Sequence, residues 1–175
     1  MFLALTFELL KFLLPAVVLY FIARLIVQAY QQNEEKKRTE SRNSTGNQTT
    51  LPLRLQAYER LILLLERITP AQAVNRAMQP GMTSYHLQVM LVQNIREEFE
   101  HNVAQQIYVS ASGWAMIKSA KEEIIRLINI TAAEIDAGEN AGELAKLLLE
   151  RWAKLDQNPV QLAIDQLKAE VRQVF

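Results

Sequence analysis

The first thirty residues, MFLALTFELLKFLLPAVVLYFIARLIVQAY, constrain this chain more than any other stretch. No charge falls between Lys11 and Arg24. A helix from about Leu9 to Tyr30, rising ~1.5 Å per residue, is long enough for a ~30 Å hydrocarbon core. Glu8 and Lys11 stand one turn apart and can pair on one face. Arg24 can carry its guanidinium to the headgroups along an aliphatic stem, and Tyr30 sits where an interfacial aromatic belongs. The apolar residues run all the way round, which separates this segment from an amphipathic helix of a soluble core. A cleaved signal peptide needs positive charge at its start and a shorter apolar run, and Val27-Gln28-Ala29 is a poor cleavage site. Residues 1–30 therefore read as a single transmembrane anchor.

Lys36, Lys37, Arg38 and Arg42 follow the anchor, while only Lys11, beside Glu8, precedes its charge-free run. The positive-inside rule then predicts that the following domain lies in the cytoplasm and the short N-terminus outside. Residues 31–50, QQNEEKKRTESRNSTGNQTT, contain no large apolar side chain and read as a flexible polar tether.

From Leu51 to Phe175 the apolar spacing is helical throughout, with no strand-like alternation, and predicts an all-α fold: a compact multi-helix bundle over 51–175. Only five Gly and five Pro in 175 residues agree with that class. Leu51, Leu55, Tyr58, Ile62 and Leu65 make one stripe, and the run Leu61 to Leu65 predicts a central helix. Thr69-Pro70-Ala71-Gln72 resembles a capping box ahead of a short helix ending at Gln79-Pro80-Gly81. A long helix is predicted from Ser84 to about Val109, then a break at Ser110-Ala111-Ser112-Gly113 with Ser112 as the next N-cap. The following helix places Ile117, Ala120, Ile124, Ile128 and Ile135 inward. Lys118, Glu122 and Arg126 form an outward ladder, and Asp136-Ala137-Gly138 ends the helix. Asn140 with Glu143, and Asn158-Pro159, open the last two helices.

Nineteen basic residues balance nineteen acidic ones, so nothing predicts nucleic-acid binding. The absence of cysteine excludes thiol catalysis and thiolate metal sites. Ser110 and Ser112 lack a nucleophile-elbow context, and no glycine-rich phosphate loop is present. One motif carries possible chemistry. Glu98 and His101 form an E-x-x-H, the spacing by which one helix face gives two ligands to a metal. The chain's second histidine, His86, has Thr83 three residues before it, so the paired motif of a di-metal bundle is missing. On a helix anchored by Leu87, Leu91 and Ile95, residues Glu98, Asn102, Gln105 and Gln106 fall on the core side or its edge. Phe99, Val103 and Ile107 continue a drifting apolar stripe. Polar groups there must find partners or line a groove. Glu98, His101, Asn102, Gln105, Gln106 and Tyr108 are accordingly the candidate polar groove.

The block Glu98-Phe99-Glu100-His101-Asn102, Gln105 to Ser110, Trp114 and Ala120 to Ile125 resembles the signature of an uncharacterised Bacteroidota family. The resemblance takes in the anchor, the Tyr58 to Ile68 helix and the block, up to about Ile130; the tail beyond Asp136 is not placed by it. It implies one N-terminal membrane helix and a helical cytoplasmic domain, with no activity, cofactor or catalytic residue assigned. The expectation is a membrane-anchored helical interaction domain, a scaffold or adaptor without catalytic activity or cofactor, whose partner is a protein or another copy. The alternatives are a metal-dependent enzyme using Glu98 and His101, and a module sensing a ligand or lipid.

Overall fold

A computed structural model describes residues 50–173, together with Arg24 and Gln28. Those two residues and Thr50 apart, the expected anchor (1–30) and tether (31–50) lie outside the described residues. Among the described residues no helix is long and apolar enough to cross a membrane. The chain divides into two units, Met1–Thr50 and Leu51–Phe175, and the helical bundle belongs to the second.

Six α-helices are present among the described residues: α1 over 50–67, α2 Pro70–Ala77, α3 Ser84–Asn102, α4 Ala111–Ala132, α5 Ala141–Ala153 and α6 Pro159–Arg172. A 3₁₀ segment, Val103–Tyr108, connects α3 to α4. The fold is all-α, as the 3.6-residue periodicity requires. All six helices contribute to one core. Leu61, Leu64, Leu65 and Ile68 enter it from the α1 region, Leu87, Leu91 and Ile95 from α3, and Ile117, Ile124 and Ile128 from α4. Leu144 and Leu148 of α5 and Ile164 and Leu167 of α6 complete the centre. Trp114 is buried, and Trp152 lies half-buried against the cluster.

The helix starts follow the caps in the sequence, with informative departures. Asn158 Oδ1 accepts from the amides of Val160 and Gln161, with Pro159 at the first helical position where its missing N–H costs nothing. Asn140 caps α5 through the Gly142 amide at 2.8 Å. The cap of α4 is Ser110, not Ser112: Ser110 Oγ accepts from the Gly113 amide at 2.9 Å, and the Ser112 hydroxyl pairs with it at 2.8 Å. Thr69 makes no capping box with Gln72. Its hydroxyl donates backward to the Glu66 carbonyl at 2.8 Å, closing α1 instead of opening α2.

The α-helical part of α3 stops at Asn102, short of Val109. Asn102 Nδ2 donates to the Glu98 carbonyl at 2.9 Å, and the Val103 amide turns to the carbonyl of Glu100, three residues back. This tightens the chain into 3₁₀ geometry. The apolar stripe stops at Phe99, because Val103 and Ile107 emerge into solvent, Ile107 at 75% exposure. In α1, Leu63 is also exposed, so the Leu61 to Leu65 run has a solvent side. On α4 the expected Lys118–Glu122–Arg126 ladder is re-paired. Arg126 takes Glu123, with its Nε at 3.0 Å, and Glu122 meets Lys121 at 2.7 Å. The α-helical part of α4 ends at Ala132, and Ile135 packs half-buried in the turn beyond.

The loop before α3 and the loop before α5 are stitched together. The Ser84 amide donates to the Glu139 carbonyl at 2.7 Å, and the Ala141 amide to the Met82 carbonyl at 3.0 Å. An isolated antiparallel bridge, Thr83 to Asn140, results. The buried Ser84 hydroxyl donates to the Asn140 carbonyl at 3.2 Å.

Candidate functional site

The residues expected to form a polar groove do not act as one group. Glu98 is half-buried and pairs with Arg67 on α1, Nε to Oε2 at 3.1 Å. Asn102 bonds within its own helix. His101 and Gln106 are exposed, while Gln105 and Tyr108 are half-buried in the 3₁₀ segment. Glu98 and Asn102 thus extend the buried face past Ile95 and finish it with polar contacts, one of them between helices. No cluster of three or more acidic or histidine side chains suited to a metal ion is found among the described residues.

Two other arrangements stand out. The first is a junction of α1, α4 and α6 centred on the half-buried Glu170. Its carboxylate accepts from the Ser110 hydroxyl, from the Ser110 amide at 3.1 Å, from Tyr58 Oη at 3.0 Å and from Gln166 Nε2 at 3.1 Å. The group sits at the N-terminus of α4, where unpaired amides and the helix dipole favour an anion. Burial pushes the Glu170 carboxyl up, but the bonds from Ser110, Gln166 and Tyr58 outweigh it and hold the group below its ordinary range. Burial raises the Tyr58 hydroxyl, Arg54 opposes the rise, and Glu170 adds to it. Gly113 makes this approach possible: a Cβ there would lie 2.6 Å from Glu170 Oε1. With its acceptor atoms occupied and its charge stabilised, this carboxylate is a fastening between helices and a poor proton acceptor.

The second is a cleft of about 520 Å³ along the outer side of α3. Tyr85, Val89, Val92, Arg96 and Glu100 line it from α3, and Asn129 lines it from α4. These α3 positions recur at spacings of four and three residues, which puts them on one stripe about opposite the buried Leu87, Leu91 and Ile95. Tyr85 is 55% and Val89 44% exposed. Behind the stripe α3 is held firmly to α4. Gln88 bonds Asn129 at 3.0 Å, Phe99 stacks on Trp114 at 5.2 Å, and Lys121 Nζ lies 4.4 Å from the Phe99 ring centre. In the sequence the stripe is visible as a second heptad-like spacing within one helix. The Glu170 junction has no local signal beyond Ser110 with Gly113, because its parts lie up to 112 residues apart.

An all-α bundle with a carboxylate-fastened junction and an apolar outer stripe is the class of protein these features define. Residues 4–174 match a family of unknown function, DUF7935, and the chain belongs to that family. The match takes in the tail beyond Asp136 as well as the central block. No curated protein and no solved structure matches the chain.

Proposed function

We propose that the chain is a non-enzymatic, single-pass membrane protein of the Bacteroidota whose helical domain binds a protein partner at the cytoplasmic face of the inner membrane. The apolar segment Met1–Tyr30 and the basic residues that follow it support the anchor and its orientation. The observation that carries the binding role is the outer stripe of α3. Apolar side chains on a helix already packed on its other face are what a helix-in-groove partner uses. Polar Gln88, Gln93 and Asn129 line the same cleft and supply the hydrogen-bonding rim of such a surface.

The test is photo-crosslinking in intact membranes from the position of Val89, with the exposed position of Lys146 on α5 as control. A discrete adduct from Val89 alone is the expected result. Equal, diffuse labelling from both positions counts against the reading. Orientation is tested by a reporter fused after Phe175, and activity only in the periplasm would refute the cytoplasmic assignment.

A further inference from the structure

We propose that the occupant of the α3 stripe is the α3 stripe of a second copy of this chain, packed antiparallel about a two-fold axis lying between Arg96 and Glu100. This rests on the interaction reading above and names its partner. Arg96 and Glu100 are exposed, one helical turn apart, and line the same cleft as Tyr85, Val89 and Val92. Among the described residues neither holds an ion pair or a side-chain hydrogen bond, whereas the adjacent Glu97 is engaged by Gln93 at 2.8 Å.

An opposite pair one turn apart on an apolar stripe is self-complementary in one direction only. When two such helices run antiparallel about the midpoint, each Arg96 faces the Glu100 of the other copy, and both pairs form at once. When they run parallel in register, Arg96 faces Arg96 and Glu100 faces Glu100, and like charges repel. In axial position the antiparallel register also sets the exposed Val89 of one copy, with the half-buried Val92 beside it, level with the 103–107 3₁₀ segment of the other. Val103 and Ile107 are the exposed apolar residues there. The two flanks of the central charges therefore carry exposed apolar side chains at matching heights. A single helix pair is smaller than the ~800 Å² per partner of a standard interface, so the association is weak in dilute solution. Anchoring both copies in one membrane raises their effective concentration.

The test is a charge-swap series on the full chain, with the dimer fraction read by energy transfer between labelled copies reconstituted together in vesicle membranes at low salt. Both side chains are exposed, and unchanged circular dichroism confirms that each variant is folded. Wild type is expected to populate dimers. Arg96→Glu alone places four acidic groups at the axis, Glu100→Arg alone places four basic ones, and each is expected to lower the dimer fraction at least tenfold. An equimolar mixture of the two single variants, and the double variant R96E/E100R, re-form both pairs and recover the dimer. A monomeric wild type, dimeric single variants or a mixture that fails to recover overturns the self-pairing. Crosslinking in membranes from the position of Val92 separates the two layers. An adduct with a different protein sinks self-pairing and leaves the interaction reading standing, and the absence of any adduct sinks both.

Discussion

Replacing Gly113 by alanine should destabilise the bundle in the native background and stabilise it when Glu170 is absent. Gly113 is the third residue of α4, and an added Cβ would meet Glu170 Oε1 at 2.6 Å, Cδ at 3.2 Å and Oε2 at 3.3 Å. The carboxylate is the far end of a flexible side chain, so it yields, and in yielding it leaves Ser110 and Tyr58. Hydrogen bonds to a charged group contribute ~1.5–3 kcal/mol each when buried. The half-buried site admits water to replace part of this, so the loss is about 2 kcal/mol in total. Against it stands the helix-propensity gain of alanine over glycine, ~0.5–1 kcal/mol in a first turn. The net effect is about 1 kcal/mol of destabilisation. In Glu170→Ala the obstacle is gone and the same Gly113→Ala change should add ~0.5–1 kcal/mol. The assay is urea unfolding of the full chain in detergent, followed by tryptophan fluorescence and far-UV circular dichroism. Destabilisation of similar size in both backgrounds would refute the account, because the sign change depends on Glu170 alone.

Other perturbations probe the remaining features. Glu170 has a lowered folded-state value, so its contribution is complete above the unfolded value and is lost as pH falls through the folded one. In Glu170→Gln, acid titration of stability should be visibly flatter than in wild type below the ordinary carboxylate range. Ile124, fully buried where α4 crosses the core, should cost ~3–4 kcal/mol on truncation to alanine, read as a lower urea midpoint. Gly81 has φ +80° with open space around it, so Gly81→Ala should cost about 1 kcal/mol through backbone strain alone. Arg67→Ala should shift stability by less than ~1 kcal/mol, since Arg67 is half exposed in its pair with Glu98.

The helices were legible because periodicity and capping are local. Leu87, Leu91 and Ile95 announce an inner face by spacing alone, and Asn140 and Asn158 mark helix starts through bonds to amides two or three residues on. The misassigned boundaries share one cause. At Thr69 and Asn102 a side chain bonds backward to a carbonyl, which ends a helix, where the sequence pattern suggests a start or a continuation. Local grounds favour Ser112 as the cap, whereas Ser110 takes the role, and Glu170, sixty residues away, is the group that engages Ser110. The polar groove at Glu98 to Gln106 was drawn on an unbroken wheel. The 3₁₀ turn redirects Gln105, Gln106 and Tyr108, and Arg67 takes Glu98. The outer stripe of α3 lay in plain view as the exposed Tyr85 and Val89, with Val92 half-buried against the core beside them. An apolar residue on an exposed face has the same sequence signature as one in the core, and only packing tells them apart.

The stitched loops at Ser84 and Ala141 also set a clock for the molecule. Closing a loop of 56 residues costs about 3.6 kcal/mol of chain entropy by the logarithmic rule, more than two amide bonds return. The stitch therefore closes only after α3 and α4 have docked and shortened that loop. It belongs to the last events of folding and, on the reverse path, to the first contacts that open while the helices stay packed. In native-state hydrogen exchange the amides of Ser84 and Ala141 should be protected, unlike ordinary first-turn amides, yet exchange faster than Leu91 in the middle of α3.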